Sequence, residues 1–250
     1  MLPLHLGIPS SGRLAVLAIG AHPDDIEIGA GGTLLSLAAA YPELTVTYVV
    51  LTGSPDRQLE AQAAAAAFTA GADLTISLHD LPEGRLPAVW AQAKDVLEGV
   101  ATGGRPDLIL APGPDDAHQD HRTIGQIVPT VFRDQLCLSY EIPKWDGDLG
   151  RPSVYVPLTT DIARRKVELL HKCYPSQHNR DWWDDEVFLG LARLRGMECR
   201  APYAEAFACA KSIILPAAAH PAVAPPPVSN HLRTEVNRDV RLRRPGSPSG

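Results

Sequence analysis

The sequence predicts an α/β fold, a Rossmann-like, doubly wound and mostly parallel sheet with helices on both faces. Short apolar runs rich in β-branched residues alternate with longer Ala- and Leu-rich stretches, the pattern of βαβ units in which each strand feeds a crossover helix. With 250 residues, 45% of them hydrophobic, the chain can bury one sizeable core,. The helical stretch EAQAAAAAFTAG ends on a glycine stop, Gly71,.

Taken in order, strands are expected at about 14–20 (LAVLAIG), 45–51 (TVTYVVL), 74–79 (LTISLH), 107–111 (DLILA) and 136–141 (LCLSYE),. Helices fall between them at about 26–40, 56–71, 87–102 and 121–134,. The alanine run of the second helix allows tight packing on the sheet. Beyond 141 the regularity loosens. VYVPL at 154–158 reads as a strand, 160–173 and 184–196 as helices, and YAEAFACAKSII at 203–214 as a final strand region. From Pro216 the composition turns to PAAAHPAVAPPPVSN and then to an Arg-rich end with too few apolar residues to pack,. The expected organisation is one domain at 1–215 and a flexible Pro/Arg-rich tail at 216–250. Glu235 and Asp239 dilute the tail's arginines, which favours a solvated segment over an anion-binding arm.

The formal net charge of −6 and the lack of a short basic motif argue against nucleic acid as a partner,. No apolar run reaches the ~18 residues of a membrane span, and MLPLHLGIPSSGR lacks the basic region and clean apolar segment of a signal peptide,. A cytoplasmic location is expected. Cys137, Cys173, Cys199 and Cys209 are widely spaced without a CxxC pair, which fits reduced thiols rather than a disulfide framework or a Cys-based metal site. Oligomeric state stays open, a homo-oligomer included.

The stretch GAHPDDIEIGAGGTLL, 20–35, raises the question of function. A dinucleotide fingerprint would put its glycines in the tight turn after the first strand, with amides facing a pyrophosphate. Here His22, Pro23, Asp24 and Asp25 occupy that turn, and Gly29, Gly31 and Gly32 come a helical turn or more later, where they read as packing glycines. Two carboxylates in the turn would also repel a pyrophosphate. An imidazole and a carboxylate three residues apart can share a divalent ion. By itself the motif reads better as an N-cap at Asp24 or Asp25 beside an ordinary turn histidine, His22.

A second segment, APGPDDAHQDHR at 111–122, leaves the fourth strand and supplies His118, Asp120 and His121. In a sheet of order 3-2-1-4-5 the first and fourth strands are neighbours, and ligands bind in the crevice at their carboxyl ends. Both polar clusters then meet at one site, which favours a metal.

These motifs, AHPDD, GAGGTL, HQDH and the later YAEAF, resemble the LmbE-like (PIG-L) family of zinc-dependent N-deacetylases over about residues 13–214. The resemblance implies that His22, Asp25 and His121 hold Zn2+ or another divalent transition metal, and that Asp24 is the general base. It also implies that His118 serves the oxyanion or leaving group and that Asp120 orients its neighbours. The chain has Ile26 where the family often has an acidic residue directly after AHPDD. The implied activity is removal of an acetyl group from an N-acetylated sugar or sugar conjugate of the N-acetylglucosamine type, a small-molecule substrate, releasing acetate and a free amine. Two other readings stand beside it: an amidase for a larger amide such as a thiol conjugate, and a nucleotide-sugar-binding Rossmann protein without hydrolytic activity.

Four further residues are substrate-binding candidates. Arg57, one turn from Glu60, matches a family R-x-x-E pattern and reads equally as half of a surface ion pair. Glu83 lies in LPEGRL, resembling a family loop that brings an acid toward the sugar. Glu141 and Trp145 sit in EIPKWDGD, where the indole is either a sugar platform or a capping hydrophobe,.

Overall fold

The structure, a computed structural model, describes residues 3–7, 12–214 and 240–242. In chain order it contains β1 (Leu14–Gly20), α1 (Asp25–Ala40), β2 (Leu44–Thr52), α2 (Pro55–Phe68), β3 (Asp73–Leu81), α3 (Trp90–Thr102), β4 (Leu108–Pro112) and α4 (Gln119–Val131). These are followed by β5 (Leu136–Tyr140), β6 (Val154–Leu158), α5 (Thr160–Cys173), α6 (Asp185–Cys199), β7 (Tyr203–Ala208) and a short β8 (Val240–Leu242).

One sheet runs in the order β6-β7-β5-β4-β1-β2-β3-β8. Its centre, from β3 through β2, β1 and β4 to β5, is parallel, in the order the sequence predicts. The other strands are antiparallel additions: β7 beside β5, β6 beside β7, and β8 beside β3. In β8 the backbone of Val240 pairs with Ile76 and that of Leu242 with Leu74. The rest of the expected tail at 216–250 lies outside the described residues.

Successive residues of β1 feed opposite faces, as a pleated strand requires. Leu14, Val16 and Ala18 enter one core with Leu34 of α1, Phe68 of α2, Val167 of α5 and Phe188 of α6. Leu17 and Ile19 enter the other with Leu97 of α3 and Ile127 of α4. Both faces are therefore covered, and truncating one such buried Leu or Ile to Ala costs about 2–5 kcal/mol. The glycines of α1 do what their position predicts. A Cβ on Gly29 would lie 2.3 Å from the Tyr140 ring, one on Gly31 2.6 Å from Phe68, and one on Gly32 2.5 Å from Leu158. Their absence lets α1 lie on the sheet, which fixes where its N-terminus points.

Several helix ends differ from the sequence reading by up to three residues, and two of them have a clear local reason. α3 starts at Trp90 because Leu86–Val89 forms a 3₁₀ turn whose first amide is drawn to the Asp120 carboxylate. α2 ends at Phe68, where the Thr69 hydroxyl takes the Ala65 carbonyl, and Gly71 turns the chain with φ +93°. No helix among the described residues is long and apolar enough to cross a membrane.

Candidate active site

The chain leaves β1 toward β2 on one side of the sheet's centre and leaves β4 toward β5 on the other, so a crevice opens between the carboxyl ends of β1 and β4,. The turn 21–24 after β1 and the segment 113–118 after β4 face each other across it.

The β1 turn is closed by its own carboxylate. Asp25, the first residue of α1, accepts the Ala21 and His22 amides on Oδ2, both at 2.8 Å. The amides that would cradle a phosphate are thus already bonded, and the dinucleotide reading loses its donors. Asp24 is the N-cap by position, yet its side chain makes no cap bond, and its backbone is left-handed at φ 105°. That conformation is costly for a residue with a Cβ and persists only where neighbours impose it. Here Arg57 Nη2 donates to Asp24 Oδ2 at 2.8 Å and to the Pro23 carbonyl. Arg57 in turn lies against Glu60 and over the Tyr174 ring.

The β4 segment is held from outside. His118 caps α4, its Nδ1 accepting the Asp120 amide at 3.3 Å. Asp120, fully buried, accepts the Gly84 amide at 2.6 Å and the Leu86 amide at 3.0 Å. Asp116 accepts the His118 amide at 2.8 Å and an ammonium hydrogen bond from Lys144 at 3.0 Å.

Side chains from the two segments converge. His22 Nδ1 and His121 Nε2 are 3.2 Å apart. His121 Nε2 is 3.2 Å from Asp25 Oδ1, and His22 Nδ1 is 3.5 Å from Asp25 Oδ2. A tetrahedral ion with donors at about 2.0–2.2 Å needs them about 3.3–3.6 Å apart; two of the separations here lie just below that range, and the third, to the other Asp25 oxygen, lies within it. The outer ring nitrogens are each held by a carboxylate, His22 Nε2 by Asp120 at 3.1 Å and His121 Nδ1 by Asp116 at 3.1 Å. Such outer bonds place the ring protons outside and leave the inner nitrogens as bare donors, as at metal sites. His118 joins the cluster, with potential ligand atoms of His22, His118 and His121 all within 4.8 Å of one another. Its Nδ1 already accepts an amide proton, so its neutral ring carries a proton on Nε2 and presents a donor,.

The electrostatics ask for positive charge at the centre. Burial opposes a charged His22, but the Asp25 and Asp120 carboxylates override it and raise the ring to about 10. His121 is raised to about 9 in the same way, against burial, by Asp25 and Asp116. Asp25 is held well below the usual carboxylate range, its burial outweighed by His121 and His22. A divalent cation would satisfy the same field. Asp24 differs: burial pushes it up to about 7, with Arg57 opposing and Asp25 adding to the rise. His118 is lowered by burial, and by His121 and His22 where those rings are charged, which favours its neutral form.

The other candidates are placed as follows. Glu83 is exposed, on the loop whose Gly84 and Leu86 amides hold Asp120. Glu141 is gripped by the Arg195 guanidinium at 2.6 and 2.9 Å. Trp145 is exposed, next to Lys144. Three residues that the sequence reading did not single out support the site: Asp116, Lys144 and Glu27. Glu27, fully buried one residue beyond Ile26, accepts the Tyr48 and Tyr174 hydroxyls at 2.9 and 2.8 Å.

Residues 17–132, which span both His/Asp segments, match the family model PIG-L, described as GlcNAc-PI de-N-acetylase. Among solved structures, a conserved protein of Thermus thermophilus is similar at 23% identity and a TM-score of 0.65, over 83% of this chain and 99% of that one. The N,N'-diacetylchitobiose deacetylase of Pyrococcus horikoshii is similar at 22% identity and 0.61, over 78% and 83%. The 4-carboxy-2-hydroxymuconate hydratase of Pseudomonas putida is similar at 16% and 0.64, over 82% and 100%. A deacetylase and a hydratase thus share this fold, so the fold does not choose the reaction and the site must. The family match contains both polar turns, so over residues 17–132 the chain is similar to the PIG-L (LmbE-like) family.

Proposed function

We propose that this chain is a metal-dependent N-deacetylase acting on an N-acetylated amino sugar or its conjugate, of the N-acetylglucosamine type. The observation that carries this is the triangle of inner donor atoms on His22, Asp25 and His121, beside a carboxylate, Asp24, that stays out of it. Those three residues would hold Zn2+, or another divalent transition ion, and the bound ion would supply Lewis acidity toward the amide carbonyl and water.

The chain's own residues do the rest. Asp24, set near neutrality by burial and steadied by Arg57, accepts a proton from the attacking water. His118 donates from Nε2 to the oxygen that gains charge at the carbonyl, a role its occupied Nδ1 and neutral ring fit,. Asp24, now protonated, delivers the proton to the departing amine, and acetate and a free amine result. Asp120 orients His22 and ties the 83–86 loop to the site. Arg57 positions the base more than it reaches substrate, while Glu83, Glu141 and Trp145 are rim residues whose roles belong to specificity.

The nucleotide-sugar-binding alternative is disfavoured by the amides already taken by Asp25. The larger-amide alternative differs only in the leaving acid. Both are tested by one experiment: acetate release from a panel of N-acetylated amino sugars and their conjugates, before chelation, after it and after Zn2+ is restored. Acetate that disappears on chelation and returns with the ion is the expected result. Hydrolysis that ignores complete metal removal, or products lacking acetate, would refute the proposal.

A further inference from the structure

The rim beyond β5 carries a feature that the chemistry above leaves unused. Trp145 is 73% exposed, and a lone exposed tryptophan needs no explanation. This one, however, is held in place. Lys144 Nζ bonds Asp116 Oδ2 at 3.0 Å, Asp148 Oδ2 at 2.8 Å and the Ile142 carbonyl at 3.2 Å. Asp148 also accepts the Ala117 amide at 2.7 Å. The loop that presents the indole is therefore stitched to the segment that sets His121.

A second ring stands edge-on to the first. Trp182 lies 6.4 Å from Trp145 with the planes at 83°. Trp182 backs onto Trp183 at 5.5 Å, Trp183 packs on Tyr174 at 6.0 Å, and Arg57 lies over Tyr174 at 5.8 Å. The pair of indoles is thus anchored at one end to the carboxylate behind His121 and at the other to the arginine on Asp24.

We propose that Trp145 and Trp182 form a stacking subsite for a second pyranose ring, glycosidically linked to the sugar whose acetamide reacts. The inference rests on the deacetylase reading. The C–H face of a pyranose packs on an indole while its hydroxyls need polar partners, and the exposed carboxylates of Asp146 and Asp181 adjoin the two rings in sequence,. An alkyl chain would find those same carboxylates a poor neighbour.

The test compares N,N'-diacetylchitobiose, N-acetylglucosamine and n-octyl N-acetylglucosaminide on the metal-loaded full chain, with Trp145→Ala and Trp145→Phe. The ratio of kcat/KM for the disaccharide to that for the monosaccharide should fall about tenfold in Trp145→Ala. Trp145→Phe, which keeps an aromatic face, should restore most of it. An unchanged ratio overturns the subsite, and so does a loss confined to the octyl glycoside. If the wild type releases acetate from none of these, the deacetylase reading fails and tryptophan fluorescence decides the subsite separately. Quenching by the disaccharide that Trp145→Ala abolishes supports it, and no Trp145-dependent response overturns it.

Discussion

The two polar turns hold the same residue types and are built in opposite ways. After β1 the turn is closed mainly from within: Asp25 bonds amides three and four residues back, and the strain falls on Asp24 at φ 105°, where Arg57 of α2 holds the carboxylate. After β4 the backbone is an ordinary capped helix start, and the side chains are held from a distance, Asp116 by Lys144 and Asp120 by the 84–86 amides. The first turn spends backbone conformation to set a carboxylate free of the donor triangle. The second spends long-range contacts to orient two imidazoles. Local bonds therefore set Asp25, Arg57 of α2 steadies the base, and distant residues orient the two imidazoles.

The largest expected effect separates the two constructions. Asp25→Ala removes a donor and leaves two turn amides unpaired, so it should abolish both ion binding and activity and cost about 1–3 kcal/mol in urea unfolding. His121→Ala and His22→Ala should lose ion and activity equally, with His121→Ala costing less stability. Full ion occupancy by elemental analysis in any of the three would refute that donor's assignment.

Next in size is Asp116→Asn. It weakens the outer hold on His121 and should lower ion affinity about 10–100-fold, read by competition with a chelator. Activity at saturating ion should largely survive. Undiminished affinity would show that the Lys144–Asp116 link does not orient the ligand.

A smaller effect is expected at Arg57. Asp24 must be ionised to act, so activity should rise with pH through an acid limb at or below about 7. Arg57 lowers that pKa, and a bound cation lowers it further. Arg57→Met should therefore move the limb to higher pH and reduce the rate severalfold at neutrality, with less loss in alkali. A limb that stays in place would mean another group titrates.

The smallest effect should follow removal of residues 216–250. It takes away the three-residue β8 ladder on β3 and none of the site residues. Activity should persist, with a melting temperature lowered by a few degrees at most. A collapse in solubility would show that the segment packs on the domain or on another chain.

The sequence carried the five central strands and both turns because each rests on local pattern, namely apolar runs, a proline-stiffened turn and glycines one helical turn on; the doubly wound topology supplied the order of those five, and the places of β6, β7 and β8 were not foreseen,. It did not carry the partners. Lys144 reaches Asp116 across 28 residues, and Arg195 claims Glu141 across 54. No periodicity encodes such pairings. Glu27 had a signal, a carboxylate two residues into α1 on a face otherwise apolar, but its Tyr174 partner lies 147 residues away.

The central claim is that Asp24 is the base and His22, Asp25 and His121 are the donors. Asp24→Asn keeps the shape and removes the proton acceptor, so it tests the division directly. Ion content should remain near one per chain while kcat falls by ~10²–10⁴, the range for a positioned general base. Loss of the ion in this variant would make Asp24 a ligand, and a near-normal kcat with the ion in place would place the base elsewhere.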